Sequence, residues 1–280
     1  MSLPREDIEF RACDGTILRG WFYPREEISP CIIMSHGLGG TYHFLMPEFA
    51  SAFHNAGYAV LLYDNRNWGD SDGLPREESN PALQQTGYYD AFNYATLPSV
   101  DPTKIVYWGT SFFGGNVIYA AALDKRIKAA IIQAPPVSGE TRSLAFKHRI
   151  PELLEDRKRI VFDLERGIVP LIAPDRESAD PSKTDAIRWE NYITSQTQLH
   201  MLGFEGQSMI HRICPTPILM VIPGNDVLVS TSSQMDAFNK AKEPKQLHYL
   251  KDCGHFDIYI GDHFRDNIKA QVDFLNQYVN

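Results

Sequence analysis

The sequence predicts an α/β fold with a mostly parallel central sheet, an N-terminal antiparallel hairpin and a helical lid insertion. From residue 31 onward, short apolar runs alternate with helical stretches, which is typical of βαβ units. Near the start, Asp14-Gly15 separates two strand-like segments and is a strong signal for a hairpin turn. Between residues 137 and 216 the alternation stops, which indicates an inserted unit.

The strands follow from these apolar runs. The hairpin pairs residues 8–13 with 16–23 through a type I′ turn, in which both central residues have positive φ. Six parallel strands are predicted at residues 31–35, 58–63, 104–108, 127–133, 217–222 and 246–250. They are short and rich in β-branched residues, as expected for strands that are covered on both faces.

Helices fill the gaps between the strands. They are predicted at 47–55, from Asn80-Pro81 onward, at 111–123, at 232–242 and at the C-terminus. The second begins with a residue suited to the N-cap, followed by proline at the first helical position. In the last helix, Ile268, Val272, Leu275 and Val279 recur at helical spacing and are predicted to form its buried face.

The segment 137–216 combines a run of charges with large aromatic groups. The aromatic residues are Phe146, Phe162, Trp189, Tyr192 and Phe204. A structureless loop of this length would be unusual in a compact domain. We therefore expect residues 1–136 and 217–280 to form the core, with 137–216 as a helical lid over one end of the sheet.

Composition excludes several classes of protein. Hydrophobic residues make up 43% and charged residues 22%, which is ordinary for a globular domain. The formal net charge is −8, from 27 basic and 35 acidic residues, and this argues against a nucleic-acid or anionic-membrane partner. The apolar runs have the length of strands, so no membrane span is expected.

The four cysteines (Cys13, Cys31, Cys214 and Cys253) are scattered, and no pair has CxxC spacing. The chain also has no HExxH motif and no GxxxxGK motif, so neither a metal site nor a phosphate-binding loop is predicted. Its acidic N-terminus lacks the apolar region of a signal peptide. We expect a reduced protein of the cytoplasm.

The strongest chemical motif is the stretch Gly109-Thr-Ser111-Phe-Phe-Gly114-Gly115, where a strand leads through Gly-x-Ser into a helix. This is the layout of a nucleophile elbow, in which a sharp turn exposes the serine at the helix N-terminus. The alternative is an ordinary turn with an N-capping serine. Phe113 stands where the second glycine of the motif is usual, so it must be tolerated by the helix or packed into the pocket.

A glycine loop, Ser35-His36-Gly37-Leu38-Gly39-Gly40, follows the first parallel strand. In a hydrolase, the N–H groups of Leu38 and Phe112 would form the oxyanion hole, and His36 would be structural. The alternative is a dinucleotide site, with Asp64 on the ribose. That alternative lacks its third glycine, because Tyr42 occupies the position, and it leaves the elbow unexplained.

An acid and a base should follow the serine in the chain. Asp226 comes just after the strand 217–222, and His255 comes just after the strand 246–250. Asp226 alone could be a turn residue. Because the carboxyl ends of parallel strands meet at one edge of the sheet, Ser111, His255 and Asp226 are predicted to form a catalytic triad. A Cys253–His255 pair is the weaker alternative, since no elbow presents that sulfur.

The order of hairpin, glycine loop, elbow, insertion, acid and histidine resembles the α/β-hydrolase superfamily over nearly the whole chain. The stretches 63–71 and 101–105 resemble its dienelactone hydrolase and X-Pro dipeptidyl-peptidase branch. The Gly-x-Ser-x-x-Gly elbow, Ala120-Ala-Ala-Leu-Asp-Lys-Arg126 and Gly254-His255-Phe256-Asp257 are most similar to fungal polyketide-pathway hydrolases of the polyketide transferase type. The resemblance implies acyl or thioester substrates, no cofactor, and a polyketide synthase carrier domain as a partner.

We therefore expect a serine hydrolase or acyltransferase acting on a hydrophobic acyl ester or thioester from polyketide biosynthesis. Phe113, Phe146, Trp189 and Tyr192 are the predicted substrate-binding residues, because apolar-lined pockets bind bulky hydrophobic ligands. Two alternatives stay open. One is enolate or cyclisation chemistry in the same oxyanion hole, and the other is a ligand-binding protein that kept the fold without turnover.

Overall fold

A computed structural model describes residues 4–141, 147–171 and 190–280. At its centre lies an eight-stranded sheet in the order β1-β2-β4-β3-β5-β6-β9-β10. Its strands are β1 (Glu6–Arg11), β2 (Ile17–Tyr23), β3 (Ser29–Ser35), β4 (Ala59–Tyr63), β5 (Val100–Thr110), β6 (Ala129–Gln133), β9 (Ile218–Pro223) and β10 (Lys245–Leu250). A separate antiparallel pair consists of β7 (Ile168–Pro170) and β8 (Tyr192–Thr194).

The pairing β1–β2 and the pairing β2–β4 are antiparallel, and all other pairings in the large sheet are parallel. The predicted fold class, a mostly parallel sheet preceded by an antiparallel hairpin, is therefore confirmed. The strand order reverses direction around β3, so that β4 and β5 lie on its two sides. Loops that leave the carboxyl ends of these central strands therefore meet above them.

Eight α-helices accompany the strands in the described ranges. They are α1 (Met46–Asn55), α2 (Pro81–Gln84), α3 (Thr86–Ala95), α4 (Phe112–Leu123), α5 (Ile150–Val161), α6 (Ser195–Leu202), α7 (Thr231–Lys240) and α8 (Gly261–Tyr278). Asn80 caps α2 as predicted, because its side chain accepts a hydrogen bond from the N–H of Ala82. None of these helices has both the length and the apolar character needed to cross a membrane.

The helices cover both faces of the sheet. Apolar residues of α3, α4 and α7 form one core with one face, and those of α1 and α8 form a second core with the other. Alternate residues of the central strands belong to the two cores; Ile33, for example, lies in the first and Ile32 in the second. This two-sided burial explains why the parallel strands read as continuous apolar runs.

The first hairpin has a different turn from the one predicted. The N–H of Gly15 donates to the carbonyl of Ala12, and the N–H of Ala12 donates to the carbonyl of Thr16. Gly15 has a φ of +90°, whereas Asp14 does not have positive φ. The type I′ prediction is therefore wrong, because the chain uses a longer loop in which glycine alone takes the left-handed conformation.

The buried face of α8 is only partly the one predicted, since Leu275 and Val279 are buried as expected. Its buried residues are Asn267, Gln271, Phe274 and Leu275, whereas Ile268 and Val272 are only partly buried. Two amide side chains, those of Asn267 and Gln271, thus point into the protein. Each precedes by one residue an apolar residue of the predicted face, Ile268 or Val272. The physical reason is that these amides find hydrogen-bond partners inside the sheet, so their burial is not penalised.

The described parts of the segment 137–216 contain α5, α6 and the β7–β8 pair, a pair that the sequence did not indicate. The segment is tied to the loop after β4, since the N–H of Ser79 donates to Oγ1 of Thr197 at 2.9 Å. It also packs on α4, where the Phe204 ring lies 5.2 Å from the Tyr119 ring, centroid to centroid. The predicted domain boundaries at 136 and 217 stay predictions.

Candidate active site

Ser111 lies in a sharp turn between β5 and α4. Its φ is 51° and its ψ is −128°, a conformation that residues with a side chain rarely adopt. Its N–H donates to the carbonyl of Gln133 at 2.8 Å, which fixes the turn to the neighbouring strand. A Cβ at Gly109 would clash with the carbonyl oxygen of Phe113, so only glycine allows α4 to come this close to β5.

The shifted glycine of the elbow has a clear explanation. A Cβ at Gly114 would lie 2.8 Å from the carbonyl oxygen of Gln133, so this glycine permits the contact between α4 and β6. Phe113 is fully buried, and its ring lies 5.5 Å from the ring of His36. The helix tolerates the bulky residue because the side chain packs into the core.

The glycine loop lies directly against the serine. A Cβ at Gly37 would be 3.0 Å from Cβ of Ser111, which explains the need for glycine at this point. Gly39 has a φ of +71°, and the side chain of Leu171 packs onto it from the segment 137–216. Leu38 and Phe112 flank Ser111 on the glycine loop and on the first turn of α4. The N–H of a first helical residue has no partner within its helix.

His255 connects the serine to a carboxylate. Its Nε2 lies 3.0 Å from Oγ of Ser111, and its Nδ1 lies 2.7 Å from Oδ2 of Asp226. Oδ1 of Asp226 accepts the N–H groups of Leu228 at 2.9 Å and Val229 at 2.8 Å. Three donors thus surround a carboxylate that is only 8% exposed, so its oxygen atoms keep hydrogen-bond partners although it is buried.

Gln234 is a further partner that sequence reasoning missed. Its Nε2 lies 3.3 Å from Oδ2 of Asp226 and 3.1 Å from the carbonyl of Val229. It sits on α7, eight residues after the acid, and is wholly buried. Little in the sequence indicated this role, because a glutamine on a largely polar helix is expected to lie at the surface.

Cys253 does not take part in this arrangement. It is buried in the core, and burial raises the pKa of its thiol to about 11. The thiol is therefore protonated at neutral pH and is a poor nucleophile. Within the described residues no group of three or more His, Cys, Asp or Glu side chains could hold a metal ion.

The structure brings together Ser111, His255 and Asp226 from three loops at the carboxyl edge of the sheet, with Leu38 and Phe112 beside them. Tyr192 is the first residue of β8 and pairs with Pro170 of β7. Beside this pair, the N–H of Leu171 donates to the carbonyl of Asn191. Since the Leu171 side chain lies on Gly39, this two-stranded pair is close to the glycine loop. Two other predicted binding residues, Phe146 and Trp189, lie outside the described residues.

Comparisons with known proteins identify the family of this chain. The family described as serine aminopeptidase, S33, matches residues 26–258. The polyketide transferase grgF of Penicillium sp. is 34% identical over 99% of this chain and 98% of its own. The thiohydrolase aneE of Aspergillus aculeatus is 31% identical over 96% of this chain and 92% of its own.

Solved structures show the same likeness in three dimensions. The crystal structure of the α/β hydrolase GrgF from Penicillium sp. sh18 superposes with a TM-score of 0.89, covers 99% of both chains and is 32% identical. The family match, the relatives that align over nearly their full length and the shared architecture all indicate the same family. The chain belongs to the serine aminopeptidase S33 family of α/β hydrolases.

Proposed function

We propose that this chain is a serine-nucleophile hydrolase or acyltransferase that acts on a hydrophobic acyl ester or thioester of polyketide biosynthesis. The observation that carries the proposal is the continuous hydrogen-bonded path from Oγ of Ser111 through His255 to Asp226. The carboxylate of Asp226 accepts a hydrogen bond from the Nδ1–H of His255. Nε2 is then left with its lone pair directed at the serine hydroxyl, as a general base requires.

The chemistry follows from that arrangement. Oγ of Ser111 forms a bond to the acyl carbon while its proton passes to Nε2 of His255. The collapse of the tetrahedral intermediate breaks the bond to the leaving alcohol or thiol, which takes the proton from His255. Water or another hydroxyl or thiol then attacks the acyl-enzyme through the same base. Asp226 stabilises the imidazolium that forms in each half of the reaction.

The oxyanion hole is assigned to the N–H groups of Leu38 and Phe112. The support is positional, because Gly37 brings the glycine loop into contact with Ser111 and Phe112 is the first residue of α4. The N-terminus of a helix carries partial positive charge, which stabilises an oxyanion formed beside it.

The substrate class is supported by the side chains around the site. Val227 and Phe256, which follow the acid and the histidine in sequence, are 92% and 60% exposed. Leu38, on the glycine loop that lies against Ser111, is partly exposed as well. Apolar groups presented to solvent around a nucleophile favour a hydrophobic acyl chain. Relatives called polyketide transferase and thiohydrolase support a polyketide thioester in particular.

Further parts of the proposal concern the surroundings of the site. Residues 137–216 would cover the site as a lid, with Phe146, Trp189 and Tyr192 against the acyl chain. Phe113, which was predicted to bind substrate as well, is fully buried in the core and does not line the site. The substrate would arrive on a polyketide synthase carrier domain in the cytoplasm, and no cofactor would be needed.

The nucleophile is tested with a fluorophosphonate probe and intact mass measurement. We expect one phosphonyl adduct on Ser111, none in Ser111→Ala, and a turnover that falls by several orders of magnitude in that variant. Asp257→Asn is the matched control, because Asp257 lies in the histidine loop and, among the residues that the structure describes, its side chain accepts the N–H of Gly254 at 2.8 Å and no hydrogen bond from His255. An active enzyme that the probe does not label would contradict covalent catalysis and favour enolate chemistry.

The substrate class is tested with acyl thioesters of increasing length and unchanged leaving group. Each methylene buried against an apolar wall contributes up to about 0.8 kcal/mol. Six added methylenes should therefore raise kcat/KM by at least about a hundredfold. A preference for acetyl over longer chains would disprove the hydrophobic pocket without affecting the assignment of Ser111.

A further inference from the structure

Two hydroxyl groups below the site join the serine strand to the histidine loop. Oγ1 of Thr110, the residue before Ser111, lies 2.5 Å from the hydroxyl oxygen of Tyr259. Tyr259 ends the 3₁₀ turn Asp257–Tyr259, which begins two residues after His255. Both residues are buried, so this hydrogen bond is shielded from water. It spans the two segments that carry Ser111 and His255 without passing through either catalytic group.

Gln133 holds the serine end of this connection. Its carbonyl accepts the N–H of Ser111 at 2.8 Å, and its Nε2 donates to Oγ1 of Thr110 at 2.9 Å. Its Oε1 in turn accepts Nδ2 of Asn267 at 2.6 Å and Nε2 of Gln271 at 2.9 Å. All of these side chains are completely buried. One glutamine therefore fixes both the backbone of the nucleophile and the side chain beside it.

Helix α8 closes the network from the other side. Nδ2 of Asn267 also lies 3.4 Å from the carbonyl of Ile258, in the histidine loop. Oε1 of Gln271 accepts the indole N–H of Trp108, in the serine strand, at 2.7 Å. The helix thus holds both segments. Buried amide and hydroxyl groups whose hydrogen bonds are satisfied form a rigid network, because every alternative arrangement leaves a polar atom without a partner.

We propose that Tyr259 and Thr110 are positioning residues, which set the distance between Oγ of Ser111 and Nε2 of His255 through their shared hydrogen bond. The proposal rests on the proposed function of Ser111 as the nucleophile. The physical reason is that proton transfer depends steeply on geometry, and a displacement of about 1 Å can lower a rate about a hundredfold. Neither residue takes part in the chemistry itself.

The test is Tyr259→Phe, which removes one hydroxyl and leaves Oγ1 of Thr110 paired with Gln133. We expect kcat to fall about tenfold or more with KM within about twofold of its original value. Phosphonylation of Ser111 should slow by a similar factor, because that reaction uses the same base without using acyl substrate. Thr110→Ser, which keeps the hydroxyl, should retain nearly the full rate.

The matched control is Tyr58→Phe. Tyr58 is also buried, and its hydroxyl also bonds the C-terminal region, accepting Nδ2 of Asn280 at 2.9 Å. This variant should lose a comparable amount of thermal stability and keep both rates, which separates positioning from a general effect on folding.

A double variant, Tyr259→Phe with Thr110→Val, sharpens the result. If the two residues act through one hydrogen bond, the double variant should lose no more rate than the slower single variant. Fully additive losses, or an unchanged kcat and labelling rate in Tyr259→Phe, would overturn the proposal. Ser111→Ala is measured in parallel, since turnover close to the original rate in that variant would overturn the proposed function instead.

Discussion

Two buried histidine–aspartate pairs stand at the same edge of the sheet, and their surroundings differ. In one, Nδ1 of His255 lies 2.7 Å from Asp226 and Nε2 lies 3.0 Å from the hydroxyl of Ser111. In the other, Nε2 of His36 lies 3.4 Å from Oδ1 of Asp64. The remaining nitrogen of His36, Nδ1, lies 2.8 Å from the carbonyl of Gly37, to which it donates.

In the second pair, the imidazole of His36 is held in its neutral state at pH 7. Burial lowers the pKa of His36 to about 4 and raises the pKa of Asp64 well above its ordinary range. The carboxyl group of this pair binds backbone groups, since Asp64 accepts the N–H groups of Tyr42 at 2.7 Å and Asp70 at 2.9 Å. The comparison shows that residue type does not identify a base. A histidine can act as a base when its Nε2 is directed at a nucleophile and its Nδ1 donates to a carboxylate.

The largest expected difference between the pairs is in rate. Asp226→Asn should lower kcat about ten-thousandfold, because an amide cannot hold His255 in the tautomer that accepts the serine proton. Asp64→Asn should lower the melting temperature and keep kcat within about tenfold. Turnover of one thioester by both purified variants, with circular dichroism to confirm folding, measures this. A fully active Asp226→Asn variant would move the acid role elsewhere, with Asp257 as the next candidate.

The pH dependence of the free energy of unfolding should reveal that His36 is neutral in the folded protein. The unfolded chain protonates His36 near its ordinary pKa of 6.5, whereas the folded chain resists protonation until about pH 4. Between these values the unfolded state binds more protons, so His36 lowers the free energy of unfolding as the pH falls. His36→Asn lacks this dependence and keeps a donor for the carbonyl of Gly37.

Urea unfolding at pH 7 and pH 4.5 measures the effect of that change. His36→Asn should be less stable than the original chain at pH 7, and the difference should shrink by about 2 kcal/mol at pH 4.5. Equal differences at the two pH values would show that folding does not shift the pKa of His36. Labelling of Ser111 should stay within about tenfold of the original rate.

The smallest expected effect extends the comparison to two neighbouring carboxyl groups. Oε2 of Glu77 is buried without a hydrogen-bond partner among the described residues, and burial raises the pKa of Glu77 to about 7. The folded state keeps this proton up to about pH 7, whereas the unfolded chain loses it near 4.5. The free energy of unfolding therefore decreases as the pH rises between these values.

Glu77→Gln should raise the free energy of unfolding by about 1 kcal/mol at pH 8 and leave it unchanged at pH 5, since the amide leaves a polar group buried as well. Glu78→Gln is the control. Burial raises the pKa of Glu78, but hydrogen bonds from His200 and Thr194 outweigh burial and lower it overall. This variant should therefore lose stability at pH 8. If both variants were more stable than the original chain at pH 8, hydrogen-bond partners would not determine the charge of these two carboxyl groups.

Much of this molecule follows from local patterns in the chain. The alternation of apolar runs and helical stretches determined the fold class, because a strand covered on both faces must be continuously apolar. The strand-Gly-x-Ser-helix stretch around Ser111 and the polar residues after β9 and β10 located the candidate site. Parallel strands end at one edge, so Asp226 and His255 had to lie near the serine whatever the loops between them do.

Only the tertiary structure decided which polar side chains are buried and what they hold. Asn267 and Gln271 read as the solvent face of an amphipathic helix, and a buried amide is possible only when its partners come from distant segments such as Gln133. The tertiary structure also decided the roles of His36 and His255. The sequence favoured His255 as the base, but only the contacts of the two rings show that His255 faces Ser111 and His36 faces the backbone. Hydrogen bonds between residues more than a hundred positions apart depend on packing, which no local pattern encodes.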